Sequence, residues 1–337
     1  MGKGRLIRSI WRFLKKHWLA AVALGCIAGL VIGVNPSKLA TVLHKIDWRV
    51  ALLMVPVTVA TYILRGTAWW LGLRKIGERI TLIRCLGVEF AGQVMIFLPM
   101  GDLARVAMAR RADKSGPGAG TVAGTIAFQE LIFLTLVGLG VLPRLFIRPG
   151  VVILVAIMTI AHVGIFTILL WKRAYQWALH TVERIHFLRR FDTQLRQLQP
   201  TFVELFRSAT LVPILVLNVA SVLLTYLLFY LAVAALGATQ VGFVTAAFVL
   251  ALSYILAALS FLPGGLGVFE GLLTVLMIAN GVPAAVGAAA SLIYRGYNDV
   301  LMAMLGALAG IAVRKAPARR SSRTSRTRSS RATDPKV

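Results

Sequence analysis

The stretch Pro263-Gly264-Gly265-Leu266-Gly267-Val268-Phe269-Glu270 interrupts a region that is otherwise apolar enough to span a membrane. It combines a helix-breaking proline, three glycines and a carboxylate. A carboxylate in hydrocarbon is costly, and irregular backbone at membrane depth needs protein or water to satisfy its amide groups. We therefore expect this stretch to line a cavity rather than to face lipid.

A weaker counterpart, Pro99-Met100-Gly101-Asp102-Leu103-Ala104-Arg105, lies in the first half of the chain. Two interrupted apolar segments in comparable positions are typical of transporters built from internal repeats, whose binding site lies between the repeats. The pair of breaks therefore indicates a binding site where the two halves meet. The backbone positions that we assign to the breaks are Pro99, Gly101, Pro263, Gly264, Gly265 and Gly267.

The composition excludes a soluble domain. Hydrophobic residues make up 58% of the 337 residues, whereas soluble domains contain about half. Apolar stretches, most of them long enough to cross a ~30 Å hydrocarbon core, occur at 19–34, 50–73, 120–142, 150–171, 211–236, 242–262 and 284–313. The chain is therefore predicted to be an all-α polytopic membrane protein. We expect a helical bundle of six spans with two broken or re-entrant segments, arranged as inverted repeats.

The net charge of +25 follows membrane topology. Basic residues cluster before the first span and after the last, and Lys and Arg are enriched on the cytoplasmic side of membrane proteins. Both termini and the connection 172–210 are therefore predicted to be cytoplasmic, in a multi-pass protein of the bacterial inner membrane. The uncharged connection 237–241 is expected on the outer face. Because topology accounts for the cations, we expect no nucleic-acid partner.

The chain divides into three predicted regions. Residues 1–18 form a basic interfacial amphipathic helix, residues 19–313 form the transmembrane domain, and residues 314–337 form a disordered basic tail. Within the connection 172–210, a second amphipathic element is expected to break or restart at Pro200.

Both interrupted segments leave alternatives open. Residues 85–112 lie between two cytoplasmic-type Arg clusters and are predicted to form a re-entrant hairpin, with an amphipathic surface helix as the alternative. Residues 242–280 form either a hairpin that enters from the outer face or two full spans. Charge does not separate these two possibilities, because Glu270 is the one ionisable residue in this segment.

Ionisable residues within the apolar region are candidates for function by default. The set is Arg65, Glu89, Asp102, Arg105, Glu130, Glu270, Arg295 and Asp299. Arg donates two parallel hydrogen bonds to a phosphate, so we assign Arg105 and Arg295 as lipid-headgroup contacts. Glu270 is assigned as their counter-charge or as the site of an ammonium group or a proton. The alternative is that Glu270–Arg295 and Asp102–Arg105 are structural ion pairs.

These motifs resemble the lysylphosphatidylglycerol synthase transmembrane-region family, also called flippase-like integral membrane proteins. The resemblance rests on Pro99-Met100-Gly101-Asp102-x-x-Arg105, Gln129-Glu130-Leu131, the Pro263–Glu270 stretch and Arg295, with Asp102 where the family usually has Glu and Leu131 where Arg is common. It covers most of the membrane region and implies lipid movement between leaflets. The chain shows no counterpart of the soluble aminoacyl-transfer domain of the bifunctional synthases, so synthesis of a lysyl lipid is not implied.

The sequence as a whole favours a membrane lipid translocase. It lacks a His beside a core carboxylate, a metal-ligand spacing and a phosphate-binding Gly-Lys loop, so we expect no enzyme activity, no metal and no cofactor. The expected partners are membrane lipids, anionic or zwitterionic, with a homo-oligomer or a lipid-modifying enzyme as further possibilities. Two alternative functions stay open: a membrane scaffold or accessory subunit for a lipid-modifying enzyme, and a lipid-linked glycosyltransferase.

The predicted orientation is tested by cysteine accessibility in right-side-out vesicles. In a background in which Cys26 and Cys85 are replaced, single cysteines at Arg5, Arg190 and Ser325 should not react with a membrane-impermeant maleimide, because the basic flanks hold these positions inside. A cysteine at Thr239 is the matched control and should react. Labelling at Arg190 from outside would contradict the orientation.

Overall fold

The structure of the protein, a computed structural model, describes residues 32–33, 36–94, 102–112, 118–147, 149–184, 192–260 and 262–315. Several predicted features lie outside these residues: the helix over 1–18, almost all of the span over 19–34, Pro99, Gly101 and nearly all of the tail over 314–337. Asp102 begins a described helix, but its side chain lies outside the described part.

Throughout the described ranges the secondary structure is helical. The α-helices are α1 Pro36–His44, α2 Trp48–Lys75, α3 Leu82–Gln93, α4 Asp102–Ala112, α5 Ala119–Gly138, α6 Pro149–Leu170, α7 Lys172–Glu183, α8 Asp192–Arg207, α9 Leu211–Ala234, α10 Phe243–Ala258, α11 Val268–Ile278, α12 Ala284–Arg295 and α13 Met302–Lys315. A 3-10 segment over Leu139–Ile147 follows α5, a 3-10 turn over Pro263–Gly265 precedes α11, and a π-helical turn over Gly296–Leu301 joins α12 to α13.

Helix length and hydropathy identify a membrane protein. Within the described residues, Trp48–Lys75, Ala119–Arg144 and Leu211–Ala234 are long and apolar enough to cross a membrane, and a fourth crossing results if Val155–Leu170 and the helix bent 100° from it count as one span. Large aliphatic side chains of α6, such as Ile160, are exposed on the outside of the bundle, as expected for a lipid-facing surface. The prediction of an all-α polytopic membrane protein is confirmed.

The two halves of the bundle repeat the same order of helices in opposite directions. A long helix, two short ones and another long helical segment occur as α2, α3, α4 and α5, and again as α9, α10, α11 and α12–α13. The first long helices of the two halves pack antiparallel, because the amide of Asp47 before α2 donates to the carbonyl of Ala235 after α9 at 2.8 Å. At the other end, Ala68 of α2 shares a buried cluster with Ile214 of α9.

Each interrupted segment forms a pair of helices too short to cross a bilayer. Helices α4 and α11 each contain 11 residues, which at the rise of an α-helix is about 17 Å against a ~30 Å core. The helices of each pair contact each other, α3 with α4 and α10 with α11. This geometry favours a hairpin over two full spans for 242–280. Because α3 packs against both α2 and α13, it is not a surface helix.

Two predicted boundaries differ from the structure. The connection does not break at Pro200, which lies inside the continuous helix α8. Pro200 is exposed, whereas Phe202 and Leu205 form the buried face of the helix. The backbone hydrogen bond that Pro200 cannot donate is therefore lost on the exposed side, where it costs little free energy. The predicted span 284–313 is helical throughout but carries the π turn over Gly296–Leu301, and such turns are frequent at functional sites.

The hairpin of each half packs against the last long segment of the other half. Helix α3 lies along α13, and α10 lies along α5 and the 3-10 segment that follows it. The closest approach involves Gly306 of α13, where an added Cβ atom would overlap the carbonyl oxygen of Phe90. A side chain at this position therefore requires the two backbones to separate.

We expect Gly306→Ala to destabilise the protein by roughly 1–3 kcal/mol, the usual cost of overpacking a close-packed interior. The matched control is Gly271→Ala in α11, where an added Cβ meets no atom within 4 Å. The free energy of unfolding, or the thermal unfolding midpoint in detergent, measures both effects. Equal stability of the two variants would show that α3 and α13 do not pack this closely.

Candidate functional site

The three glycines of the second break adopt backbone conformations that other residues rarely adopt. Their φ angles are 60° at Gly264, 61° at Gly265 and 82° at Gly267, and in this left-handed region a Cβ atom costs free energy. At Gly265 a Cβ would also lie 2.9 Å from the Cβ of Ala257. The turn between α10 and α11 therefore depends on the glycines that the sequence places there.

Glu270 stabilises this turn and also belongs to an ion-pair network. Its Oε2 accepts a hydrogen bond of 2.6 Å from the amide of Gly267, which caps the start of α11. Its Oε1 accepts a hydrogen bond of 2.6 Å from Nε of Arg295 on α12. The sequence-predicted pair Glu270–Arg295 is thus present.

Arg295 binds three groups at once. Besides Glu270, it donates through Nη1 to Asp299 in the π turn and through Nη2 to the carbonyl oxygen of Gly264 at 2.6 Å. Its guanidinium group lies 4.7 Å from the ring centroid of Phe269, a cation–π distance. This guanidinium therefore fixes α11, α12 and the glycine turn relative to one another.

The first half contains a second network with four charged members. Arg65 of α2 donates to Glu130 of α5 at 2.9 Å, and Arg105 of α4 donates to the same Oε1 at 3.1 Å. Arg105 also donates to Glu89 of α3. The cation that partners Glu130 thus comes from α2 and α4, not from position 131, where this chain has Leu131.

The two networks pair residues at equivalent positions of the two halves, but the signs of the charges at these positions are exchanged. In each half a residue on the second hairpin helix pairs with a residue on the following long helix 25 positions later: Arg105 with Glu130, and Glu270 with Arg295. The cation is on the hairpin in the first half and on the long helix in the second.

Aromatic side chains join the two networks. Phe133 covers the guanidinium of Arg65 at 4.3 Å and packs against Tyr254 of α10 with ring centroids 6.2 Å apart. Tyr254 lies 4.9 Å from Phe269 and its hydroxyl is 2.8 Å from that of Tyr294. The two charged networks are therefore the ends of one continuous site.

Sequence reasoning did not single out these aromatic residues or Tyr62, whose hydroxyl donates to the carbonyl of Asn298 at 3.0 Å. An aromatic residue within an apolar span gives no signal by itself, because most such residues only pack. The charge of a neighbour one turn away, as with Tyr62 and Arg65, was the one available hint.

The members of the networks differ in access. The side chains of Arg105 and Glu89 are only 3% and 0% exposed, whereas Arg65 and Arg295 keep 13% and 14%, and Glu130 keeps 36%. Arg105 is therefore inaccessible from outside the network. Of the two arginines in the first-half network, Arg65 has the more accessible guanidinium group. Among the described residues there is no group of three or more His, Cys, Asp or Glu side chains that could hold a metal ion.

A cavity lies beside the networks rather than inside them. It has a volume of about 720 Å³ and is lined mainly by apolar residues of α5, of the 3-10 segment and of α6. Its wall on α5 begins at Leu134, one helical turn after Glu130, and Ile255 next to Tyr254 also lines it. The expected charged cavity is thus an ion-paired site with an apolar cavity at its side.

Comparison with known proteins places the chain among membrane proteins. A sequence model of the family described as Lysylphosphatidylglycerol synthase TM region matches residues 18–306. A UPF0104 membrane protein of Methanothermobacter thermautotrophicus is 21% identical over 316 residues, covering 88% of this chain and 92% of the relative. The resemblance inferred from the motifs is confirmed.

Removing a buried guanidinium should destabilise the fold. Arg105→Ala leaves the Glu89 carboxylate buried beside a void, and breaking a buried pair in this way typically costs about 3–5 kcal/mol. The control is Arg196→Ala, which removes an Arg that is 57% exposed and pairs with Asp192, for which about 0–1 kcal/mol is expected. Thermal unfolding in detergent measures both.

The double variant Arg105→Met, Glu89→Met should recover most of the loss, because Glu130 keeps Arg65 as its partner. A double variant as unstable as Arg105→Ala would mean that the unpaired charge is not the cause.

Proposed function

The chain belongs to the lysylphosphatidylglycerol synthase transmembrane-region family, and we propose that it is a lipid translocase that moves a polar-headed lipid between the leaflets of a bacterial inner membrane. In this proposal the protein transports and carries out no covalent chemistry. Its partners are anionic or zwitterionic membrane lipids, and both of its termini are cytoplasmic.

The single observation that carries the proposal is the joined pair of ion-pair networks at the centre of two inverted halves. Charges within a membrane bundle are costly and are retained where a polar group or ion must pass. A binding site between inverted repeats can be opened to either side by moving one repeat against the other. The antiparallel packing of α2 on α9 and the equivalent pairs Arg105–Glu130 and Glu270–Arg295 supply these elements.

The accessible arginines suit a phosphate group. Arg65 and Arg295 are each partly exposed and belong to different halves, so a phosphate could exchange one for the other while crossing. A guanidinium group can donate two parallel hydrogen bonds to two oxygens of one phosphate group. Each Arg now binds carboxylates that a phosphate would replace, and Glu130 is the most exposed of these carboxylates.

The apolar and polar parts of a lipid need different surroundings, and the site offers both. The ion-paired centre serves the headgroup, while the exposed aliphatic side chains of α6 leave the tails in contact with the bilayer. The glycine turn at Gly264 and Gly265 lies against Arg295, because the carbonyl of Gly264 accepts from that guanidinium. A rearrangement of the hairpin would therefore also displace Arg295, which belongs to the headgroup site.

The proposal is tested with purified protein in liposomes that contain a fluorescent phospholipid, whose arrival in the outer leaflet is followed by dithionite quenching. We expect Arg295→Ala to abolish protein-dependent movement, because it removes the phosphate contact of the second half. Glu270→Gln should alter the rate while preserving the fold, since Arg295 keeps Asp299 as its partner. Gly265→Leu should block movement, because position 265 needs a φ of +61° and the added side chain meets Ala257.

The control is Arg207→Ala, which removes an exposed Arg at the end of α8 and should leave the rate unchanged. Size-exclusion chromatography and thermal unfolding identify variants that fail to fold. If all three site variants insert, fold and move lipid at the wild-type rate, the charges are structural and the translocase proposal is wrong.

A further inference from the structure

The cavity beside the networks is a groove between α5 and α6. One wall contains Leu134, Gly138 and Leu142, and the other contains Met158, His162 and Phe166; we call it the α5–α6 groove. Its volume of about 720 Å³ falls within the roughly 300–1,000 Å³ that is usual for ligand pockets.

The groove exists because α6 is held at its two ends. Helix α6 packs against the 3-10 segment at one end and against α7 and α8 at the other. Between these contacts α6 stands away from α5, and small residues such as Gly138 do not fill the space. An added Cβ at Gly138 would meet only the Cδ1 atom of Ile255, at 3.8 Å.

The groove is open on its outer side. Leu139 and Leu142 on one edge and Val163 on the other are 51%, 47% and 58% exposed. In a bundle that spans a membrane, an apolar opening of this kind faces the hydrocarbon tails of lipids. An occupant can therefore enter sideways from the bilayer.

The groove is also continuous with the charged site. Leu134 lies one helical turn from Glu130 on the same face of α5, and Ile255 directly follows Tyr254, which contacts both networks through Phe133 and Phe269. A chain in the groove would thus place its polar end beside Glu130 and Arg65, the most accessible ion pair of the first half.

We propose that the α5–α6 groove binds a hydrocarbon chain of the same lipid whose headgroup engages Arg65 and Glu130. This rests on the proposed translocase function and adds a specific chain site to it. The lipid tail then does not move freely in the bilayer while the headgroup crosses, but follows a fixed path along α6.

His162 is one of the polar residues in the groove wall, together with Thr135, Thr159, Thr167 and Trp171. Its Nδ1 lies 3.0 Å from the carbonyl oxygen of Met158, and because a carbonyl can only accept, Nδ1 carries the proton in the neutral ring. The other nitrogen, Nε2, is buried and has no hydrogen-bond partner among the described side chains and backbone. This acceptor lies half-way along α6 and is not itself exposed to the groove.

The chain site is tested by photolabelling. The full-length protein is reconstituted with phosphatidylglycerol that carries a diazirine within one acyl chain, irradiated, digested and analysed by mass spectrometry. We expect labelling to concentrate on groove residues such as Met158 and Phe166. Gly138→Phe should reduce this labelling about tenfold or more, since displacing even two methylene groups from an apolar site forfeits binding free energy of that size.

The matched control is Gly164→Phe. Gly164 lies on α6 but does not line the groove, and an added Cβ there meets no atom within 4 Å. This variant should label like the wild type. Equal labelling of groove residues and of the opposite face of α6, or equal labelling of the two glycine variants, would overturn the chain site.

Parallel translocation measurements separate the two proposals. Slower movement in Gly138→Phe but not in Gly164→Phe supports the chain site as part of the path. Lipid movement without groove labelling overturns the chain site and leaves the translocase function intact. Groove labelling in a protein that moves no lipid supports a lipid-binding groove and overturns the function.

Discussion

An unpaired charge in the interior of a membrane bundle is too costly to persist, and the arrangement of this protein follows from that constraint. Arg295 satisfies it by binding Glu270, Asp299 and the carbonyl of Gly264 together. These partners come from α11, from the π turn and from the glycine turn, so one guanidinium connects three separate parts of the second half. The first half meets the same constraint with Arg65, Arg105, Glu89 and Glu130 drawn from four helices. In both halves, ion pairs connect the short helices to the neighbouring helices and so help to fix their positions.

The network charges are paired within each half. Arg105 of the first hairpin pairs with Glu130, and Glu270 of the second hairpin pairs with Arg295. Among these described residues, neither half therefore presents an unpaired charge to the other. The aromatic bridge of Phe133, Tyr254 and Phe269 then lies over guanidinium faces, which favour aromatic rings. A central site is obtained that is polar at its ends and apolar between them.

A lipid presents the same division, with a charged headgroup and apolar chains. The networks and the α5–α6 groove lie next to each other, and Glu130 and Leu134 are neighbours on one face of α5. The Glu130 side chain is 36% exposed at the edge of the first network, so a molecule beside the network can reach it. In the proposed function, this adjacency of charged and apolar surroundings suits a lipid better than a small soluble ion.

The sequence by itself determined the fold class, the two breaks and the identity of the charged residues. Hydropathy identifies a polytopic membrane protein, and Gly264, Gly265 and Gly267 mark a turn because only glycine adopts their positive φ angles at little cost. The local pair Glu270–Arg295 was also predictable, since both members belong to adjacent segments.

Only the tertiary structure decided which distant charges meet. Arg65 and Glu130 are 65 positions apart, and nothing in the spacing indicates that α2 would supply the partner missing at Leu131. Likewise, the burial of Arg105, the aromatic bridge and the groove depend on how far one helix stands from another. Those distances are set by the packing of side chains across the bundle, and a pattern along one helix does not contain them.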